Sequence, residues 1–577
     1  MALAFHNHWF IVGALADALI LYGPTPVLLQ EKMSLRTLLI ICLVLVLLAG
    51  CEEGGGVATP VAPVSVAEIP SQPQFGGSLT ETMLGEPSNL ISPLATDSSS
   101  HAVASQIYVS LMKYDKNINL VPYAAESWEV LADGRLLRFK MREDIRWFDG
   151  EPLTADDVEF TYRLMIDPKT PTAYAGNFKL VKKFRKTGRY SFEVEYDEPF
   201  AKALITWAMD ILPKHALEGE NLLDTKYSRA PLGAGPYKLG EWQAGSQITL
   251  EANPDFFEGR PYIDQVVYRI IPDLSTQFLE LKAGNIDAMD LAPLQYLYQT
   301  SGPGWDGSFH KFQYLSSGYT FLGFNFKHPF FKDVRVRKAI DHAINREELV
   351  KGVLYGLGEA ANGPYKSGTW PYNESIKPRS YDPQLAKSLL AEAGWSDTDG
   401  DGILDKDGSP FSFSIITNQG NTQRIKTGVI IQQRLKDVGI EVGLRTVEWA
   451  AFIKEFVDKG RFDAIILGWN ILQDPDIYNV WHSSMAVDGG LNFTRYVNPE
   501  LDRLLEQGRH MVEQQKRKPV YDAVQQILFD DVPYCFLYVP KALPIVQARV
   551  QNIKAAPAGI AYNFTKWWIP KTLQRQP

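Results

Sequence analysis

Cysteine is nearly absent from this chain, with three in 577 residues. Cys42 sits inside the apolar run 38–48, Cys51 closes that segment, and Cys535 alone belongs to the body, within PYCFLYVP. A disulfide within the body and a zinc cluster of cysteines are excluded. Cys535 reads as a buried small hydrophobe rather than a nucleophile. Histidine is sparse too, nine in all, and neither His342 nor His482 has partners at metal-ligand spacing. Neither Gly-x-Ser-x-Gly nor His-Glu-x-x-His occurs. A basic excess is also missing: the net charge is -9, and phosphate binding needs a basic surface, so nucleic acid is not an expected partner.

What is there begins with an export signal. From Met33 the chain reads MSLRTLLIICLVLVLLAGC: a basic start at Arg36, the run from Leu38 to Leu48, then Ala49 and Gly50 before Cys51. This is the three-part layout of a secretory signal peptide. The run falls short of the roughly 20 apolar residues of a membrane span. Leu48-Ala49-Gly50-Cys51 matches the lipobox of bacterial lipoproteins, which implies cleavage before Cys51 and lipid on its sulfur and amine. More than one acyl chain makes for stable anchoring. Residues 1–50 are thus expected to be signal, with the true start at Met33, and residues 51–75, rich in Gly, Pro, Ser and Ala, a flexible tether unable to bury a core.

The body then alternates strand and helix patterns. LLRFKM (136–141) and SFEVEY (191–196) alternate like half-buried strands. Between them Thr154 stands as N-cap of a helix with Asp157 three residues on. Val336, Ile340, Ala343 and Ile344 fall at helical spacing in DVRVRKAIDHAINREELVKGVL, with Arg335 and Arg337 assigned to its solvated face. Asp382 and Pro383 open a further helix that Gly394 stops. TQRIKTGVIIQQRLKDVG is a helix ending at Gly439, IEVGLRTVEW a strand, and RFDAIILGW a strand buried on both faces. Such alternation argues an α/β architecture.

Several stretches resemble, in order, the extracytoplasmic solute-binding proteins family 5 of ABC importers, the dipeptide- and oligopeptide-binding group. They are VPYAAESWEVLADGRLLRFKMREDIRWFDGEPLTADDVEFTY, GAGPYKL, IPDLSTQFLELKAGNIDAM and FLGFNFKHPFFKDVRVRKAIDHAINREELV. Within GAGPYKL, Gly233 and Gly235 ahead of Pro236 give the backbone freedom for a tight bend. The resemblance runs from about residue 76 to the C-terminus. It implies a two-lobed periplasmic-binding-protein-like fold of type II, joined by a hinge, with an extra subdomain in the first lobe. Residues 76–107, 226–317 and 531–577 would form lobe I, 108–225 the subdomain and 318–530 lobe II. It also implies a monomeric lipoprotein outside the cell membrane that captures a peptide or other small molecule between its lobes and delivers it to ABC permease subunits, with no covalent chemistry and no catalytic residue.

Candidate contacts follow by family position. GWNILQDPD (468–476) resembles the cleft segment, which makes Trp469, Asn470 and Asp474 candidates. Peptide-binding members often carry, between the Gly-Trp and the Asp-Pro, an aspartate for the ligand's amino terminus. Here residues 470–473 hold no acid, and Asp474 could substitute. Tyr108 and Tyr319 are further candidates. Oligosaccharides or a nickel chelate are alternative ligands, and a lipoprotein hydrolase using Asp474 and Asp476 is a rival class whose acids cannot be told from capping residues.

DTDGDGILDKDG (397–408) begins like a calcium loop, with Asp397, Asp399, Asp401 and Asp405 as ligands, but Gly408 stands where a bidentate Glu belongs. It is expected to be a surface connection holding at most a weak structural calcium, with no other cofactor. A calcium-dependent adhesion module would rest on this loop alone.

Overall fold

The computed structural model describes residues 70–470 and 474–575. The signal, Cys51 and residues 51–69 of the expected tether lie outside the described residues, as do residues 471–473. Among the described residues no helix is long and apolar enough to cross a membrane.

Two seven-stranded sheets organise the lobes. The first runs, edge to edge, through Phe309–Lys311, Pro544–Gln547, Ala288–Asp290, Ser78–Met83, Gln265–Ile270, Gln247–Ala252 and Tyr237–Gln243. Ser78–Met83 lies parallel to both neighbours. The second sheet centres on Gly318–Phe324, every residue of which is buried. Leu322 and Phe324 enter one core and Tyr319 and Phe321 the other, as the two-residue strand period requires. Its neighbour Ala464–Asn470 behaves the same way, with Ile466 in one core and Ile465 in the other, as expected for RFDAIILGW. A separate four-stranded sheet, 125–131, 136–141, 191–196 and 181–188, with its own core, forms the extra subdomain.

The chain passes between the two large sheets at two points. Phe309–Lys311 gives way to Tyr314–Leu315, and Tyr534–Ala542 runs through Leu543 into Pro544–Gln547. This moves two expected boundaries: Tyr314–Leu315, expected in lobe I, pairs with Lys541 and Ala542 in the second sheet. The resemblance puts residues 534–542 in lobe I, yet they pair with Gly318–Phe324 in the second sheet, so the return to lobe I comes at Leu543 rather than at 531.

Local capping reads directly from sequence. Thr154 caps helix Ala155–Ile166 in a reciprocal box, with Thr154 N donating to Asp157 Oδ2 at 2.8 Å. Asp382 caps Pro383–Glu392, Leu385 N donating to its Oδ1 at 2.9 Å. One expected helix is two: Val334–Ala343 stops at the extended residue Ile344, and Asn345 caps Arg346–Gly352 by accepting from Glu348 N at 3.0 Å. Arg337 is corrected too. It is 4% exposed rather than solvated, and its guanidinium donates to the carbonyls of Phe331 at 2.6 Å and Asp531 at 2.7 Å. Cys535 is fully buried, as expected.

Candidate functional site

The lobes meet along a seam. On one side Asp97 caps helix Ser98–Ile107 through Ser100 N at 2.9 Å and accepts from the hydroxyls of Ser88 and Ser100 at 2.5 and 2.6 Å. Across the seam Trp449 Nε1 donates to Asp97 Oδ1, and Thr96 Oγ1 donates to Asp458 Oδ1, both at 3.4 Å. Burial, with Asp97 close by, pushes the Asp458 carboxyl up to about 6. Two glycines permit this approach. A Cβ on Gly85 would lie 2.2 Å from Trp449 Cβ, and one on Gly420 would lie 1.8 Å from the Pro272 carbonyl oxygen.

The subdomain closes the other end. Ala201 N donates to Arg509 O at 2.7 Å, Arg509 Nη2 reaches Asn177, and the Arg509 cation lies 3.8 Å from the Tyr478 ring centre. Arg509 Nε also donates to Asp476 Oδ2 at 2.9 Å, with Lys202 of the subdomain 3.9 Å from the same oxygen. Burial opposes the Asp476 charge, but Lys202 and Arg509 outweigh it and hold the carboxyl below its usual range.

The residues singled out in the sequence do not converge on one ligand surface. Trp469 and Tyr319 are direct partners on adjacent strands. Trp469 is half-buried, stacks on Phe493 with ring centres 5.7 Å apart, and donates through Nε1 to Tyr534 Oη at 3.4 Å. Tyr319 is sunk in the lobe II core against Phe536, its buried hydroxyl without a hydrogen-bond partner among the described residues. Tyr108 is in the lobe I core, and burial, with Asp210 adding, pushes its phenol up. Asn470 stands exposed at the end of its strand. Asp474 is spoken for: Arg517 holds both its oxygens at 2.8 Å, and Asp474 Oδ1 also accepts from Asp476 N. The charge of Asp474 is thus matched inside lobe II.

Other charged groups near the seam went unnoticed in the sequence. Arg424 sits on the first turn of helix Thr422–Lys436, just after Gly420. Its Nη1 donates to Asn418 Oδ1 at 2.8 Å, and no carboxylate pairs with it among the described residues. Burial pulls it down to about 10. Asp210, half-buried and also without a cation, is pushed up by burial, with Ser92 and His101 pulling the other way. A polar residue in an amphipathic helix reads as solvated, so Arg424 gave no signal: its burial is made by sheet and lobe packing.

The acidic loop lies between helix Pro383–Glu392 and the hairpin Asp405–Lys406/Ser409–Pro410, turned by Asp407 and Gly408 at positive φ. Carboxylate oxygens of Asp397, Asp399 and Asp405 come within 4.8 Å of one another. Asp401 does not join them; its Oδ1 accepts from Ile403 N at 2.7 Å.

The family description for bacterial extracellular solute-binding proteins, family 5 Middle, matches residues 119–488. The oligopeptide-binding protein AppA of Bacillus subtilis is 34% identical over 556 residues, covering 94% of this chain and 100% of the relative. The AppA structure in complex with a nonapeptide superposes with a TM-score of 0.82 at 35% identity, over 87% of this chain and 100% of that one. NikZ of Campylobacter jejuni in complex with Ni(L-His) does so with a TM-score of 0.76 at 27% identity, over 86% and 99%. Family match, identity along the whole relative and shared two-lobed architecture together make this chain a family 5 extracellular solute-binding protein, a receptor family rather than an enzyme family.

Proposed function

We propose that this protein captures peptides between its lobes and delivers them to an ABC permease, held at the membrane surface by lipid on Cys51. The observation that carries the reading is Arg424, a half-buried guanidinium beside the seam that no carboxylate of the chain matches among the described residues. A buried charge without a partner is expensive, and a ligand carboxylate would supply that partner with charge-assisted hydrogen bonds. Asp210 and Asp458 supply the opposite sign, which suits a zwitterionic ligand. The aromatic rings favour a sugar less, since Trp469 already stacks on Phe493. The likeness to AppA, solved with a nonapeptide, supports the same class.

The test is a thermal-shift and calorimetry panel of peptides, sugars and metal chelates. A peptide at about 100 times its Kd is expected to stabilise the protein by about 2.7 kcal/mol. Arg424→Gln is expected to weaken free-carboxyl peptides about tenfold, with peptide amides little affected. No shift with any peptide would sink the proposal.

A further inference from the structure

Several deep acids in this protein are matched by cations. Asp287, fully buried, receives Arg549 Nε at 2.8 Å and Nη2 at 2.6 Å. Asp341 has Arg346 and Arg379, Asp474 has Arg517, and Asp476 has Arg509.

Two carboxylates of lobe I have no such match. Glu81, inside strand Ser78–Met83, and Asp290, the last residue of Ala288–Asp290, have no hydrogen-bond or ion-pair partner among the described residues. They are close neighbours. Glu81 faces Tyr268 across one strand pair and Ala288 across the other, and Asp290 lies two residues beyond Ala288. The two-residue strand period therefore puts Glu81, Tyr268 and Asp290 on one face of the sheet.

Tyr268 is a separate pointer to a ligand. It is 6% exposed, and its hydroxyl has no hydrogen-bond partner among the described residues. Burial pushes that phenol well up, and the neighbouring Glu81 carboxyl adds to the shift. Tyr314, at the first crossing between the sheets, is pushed up to about 12 by burial and by Asp290. Asp290 itself stays exposed at the end of its strand. The place is also apt. The three strands run parallel, so their carboxyl ends share one edge, where open α/β sheets bind ligands. Asp290 there pairs with Pro544, just past the second crossing.

We propose that Glu81 and Asp290, with the Tyr268 hydroxyl, form a subsite for a cationic side chain of the ligand, the ammonium or guanidinium of a basic peptide. The inference rests on the peptide reading and adds the ligand's charge to it. An ammonium offers three donors and a guanidinium five, against carboxylate oxygens and a phenol that now bond to nothing among the described residues. A neutral side chain would leave both carboxylates uncompensated.

The experiment is calorimetry of the purified protein with pentapeptides in which Lys, Arg, norleucine or Glu is placed at each position in turn. Lys or Arg at one position is expected to tighten Kd by about tenfold or more over norleucine. Glu81→Gln and Asp290→Asn should each erase that gain, so that Lys and norleucine peptides bind alike, with thermal melts confirming that both variants fold. Equal affinity for Lys and norleucine at every position overturns the subsite and leaves peptide capture standing. Failure of all peptides sinks the peptide reading instead, and agmatine and cadaverine then decide the subsite. Saturable thermal protection that Glu81→Gln abolishes supports it, and no protection overturns it. Protection by calcium or magnesium in place of organic cations overturns it as well.

Discussion

Replacing Glu81 by Gln is expected to stabilise the ligand-free protein at neutral and alkaline pH and to leave it nearly unchanged in acid. Burial, followed by Asp290 and Asp287, pushes the Glu81 carboxyl from 4.5 up to about 7. Between those values the folded chain keeps a proton that the unfolded chain has released. Stability therefore falls as pH rises through that window, and the full penalty stands above it. At about 1.4 kcal/mol per pH unit, the shift amounts to a ceiling of about 3 kcal/mol. Gln keeps the shape and carries no charge, so it escapes the penalty. Urea unfolding of both proteins at pH values below, within and above the window reads the difference directly. The midpoints should coincide below the window and separate above it, with the variant the more stable. A variant no more stable than its parent in alkali, or a parent whose pH slope survives the substitution, would refute the reasoning. A bound basic peptide should shrink the gap, because it brings the cation that Glu81 lacks.

Three further outcomes follow from the geometry. Arg517→Met leaves the Asp474 carboxylate, now 11% exposed and held through both oxygens, without its counter-charge, and should cost about 3–5 kcal/mol in chemical denaturation. Gly420→Ala sets a Cβ against the Pro272 carbonyl at a backbone φ of +80°, so it should weaken ligand affinity by holding the lobes apart, read by calorimetry together with a larger radius of gyration in X-ray scattering. Chelator should leave ligand affinity unchanged, since the acidic loop 397–408 joins a helix and a hairpin away from the seam contacts; a loss of affinity in chelator would place that loop in the binding mechanism.

Features that depend on a few consecutive residues were legible. The Thr154–Asp157 box and the Asp382 cap are made by groups within a few positions of one another. The break at Ile344 was missed because the apolar spacing runs through it, and the Asn345 cap that restarts the helix was overlooked. Gly233 and Gly235 stand out in the sequence, but bend freedom is only part of the reason for them. Their Cβ atoms would lie 2.0 Å from the Ile107 carbonyl oxygen and 2.6 Å from that of Gln106, so close approach demands glycine there.

The amino-acid sequence alone determined the alternation of strand and helix, the buried strand at Ala464–Asn470, the caps and the family, because short-range periodicity and ordered motifs carry them. Tertiary structure decided which lobe owns Tyr534–Ala542, which arginines are buried, and which acids are matched. Asp474 and Glu81 are both acidic residues, and nothing adjacent in sequence distinguishes them. Arg517, forty-three positions away, neutralises the first, and strands about two hundred residues away in sequence surround the second with Tyr268 and Asp290. Charge compensation acts through space at a few ångströms, so its absence at Glu81 becomes visible only once distant strands lie side by side.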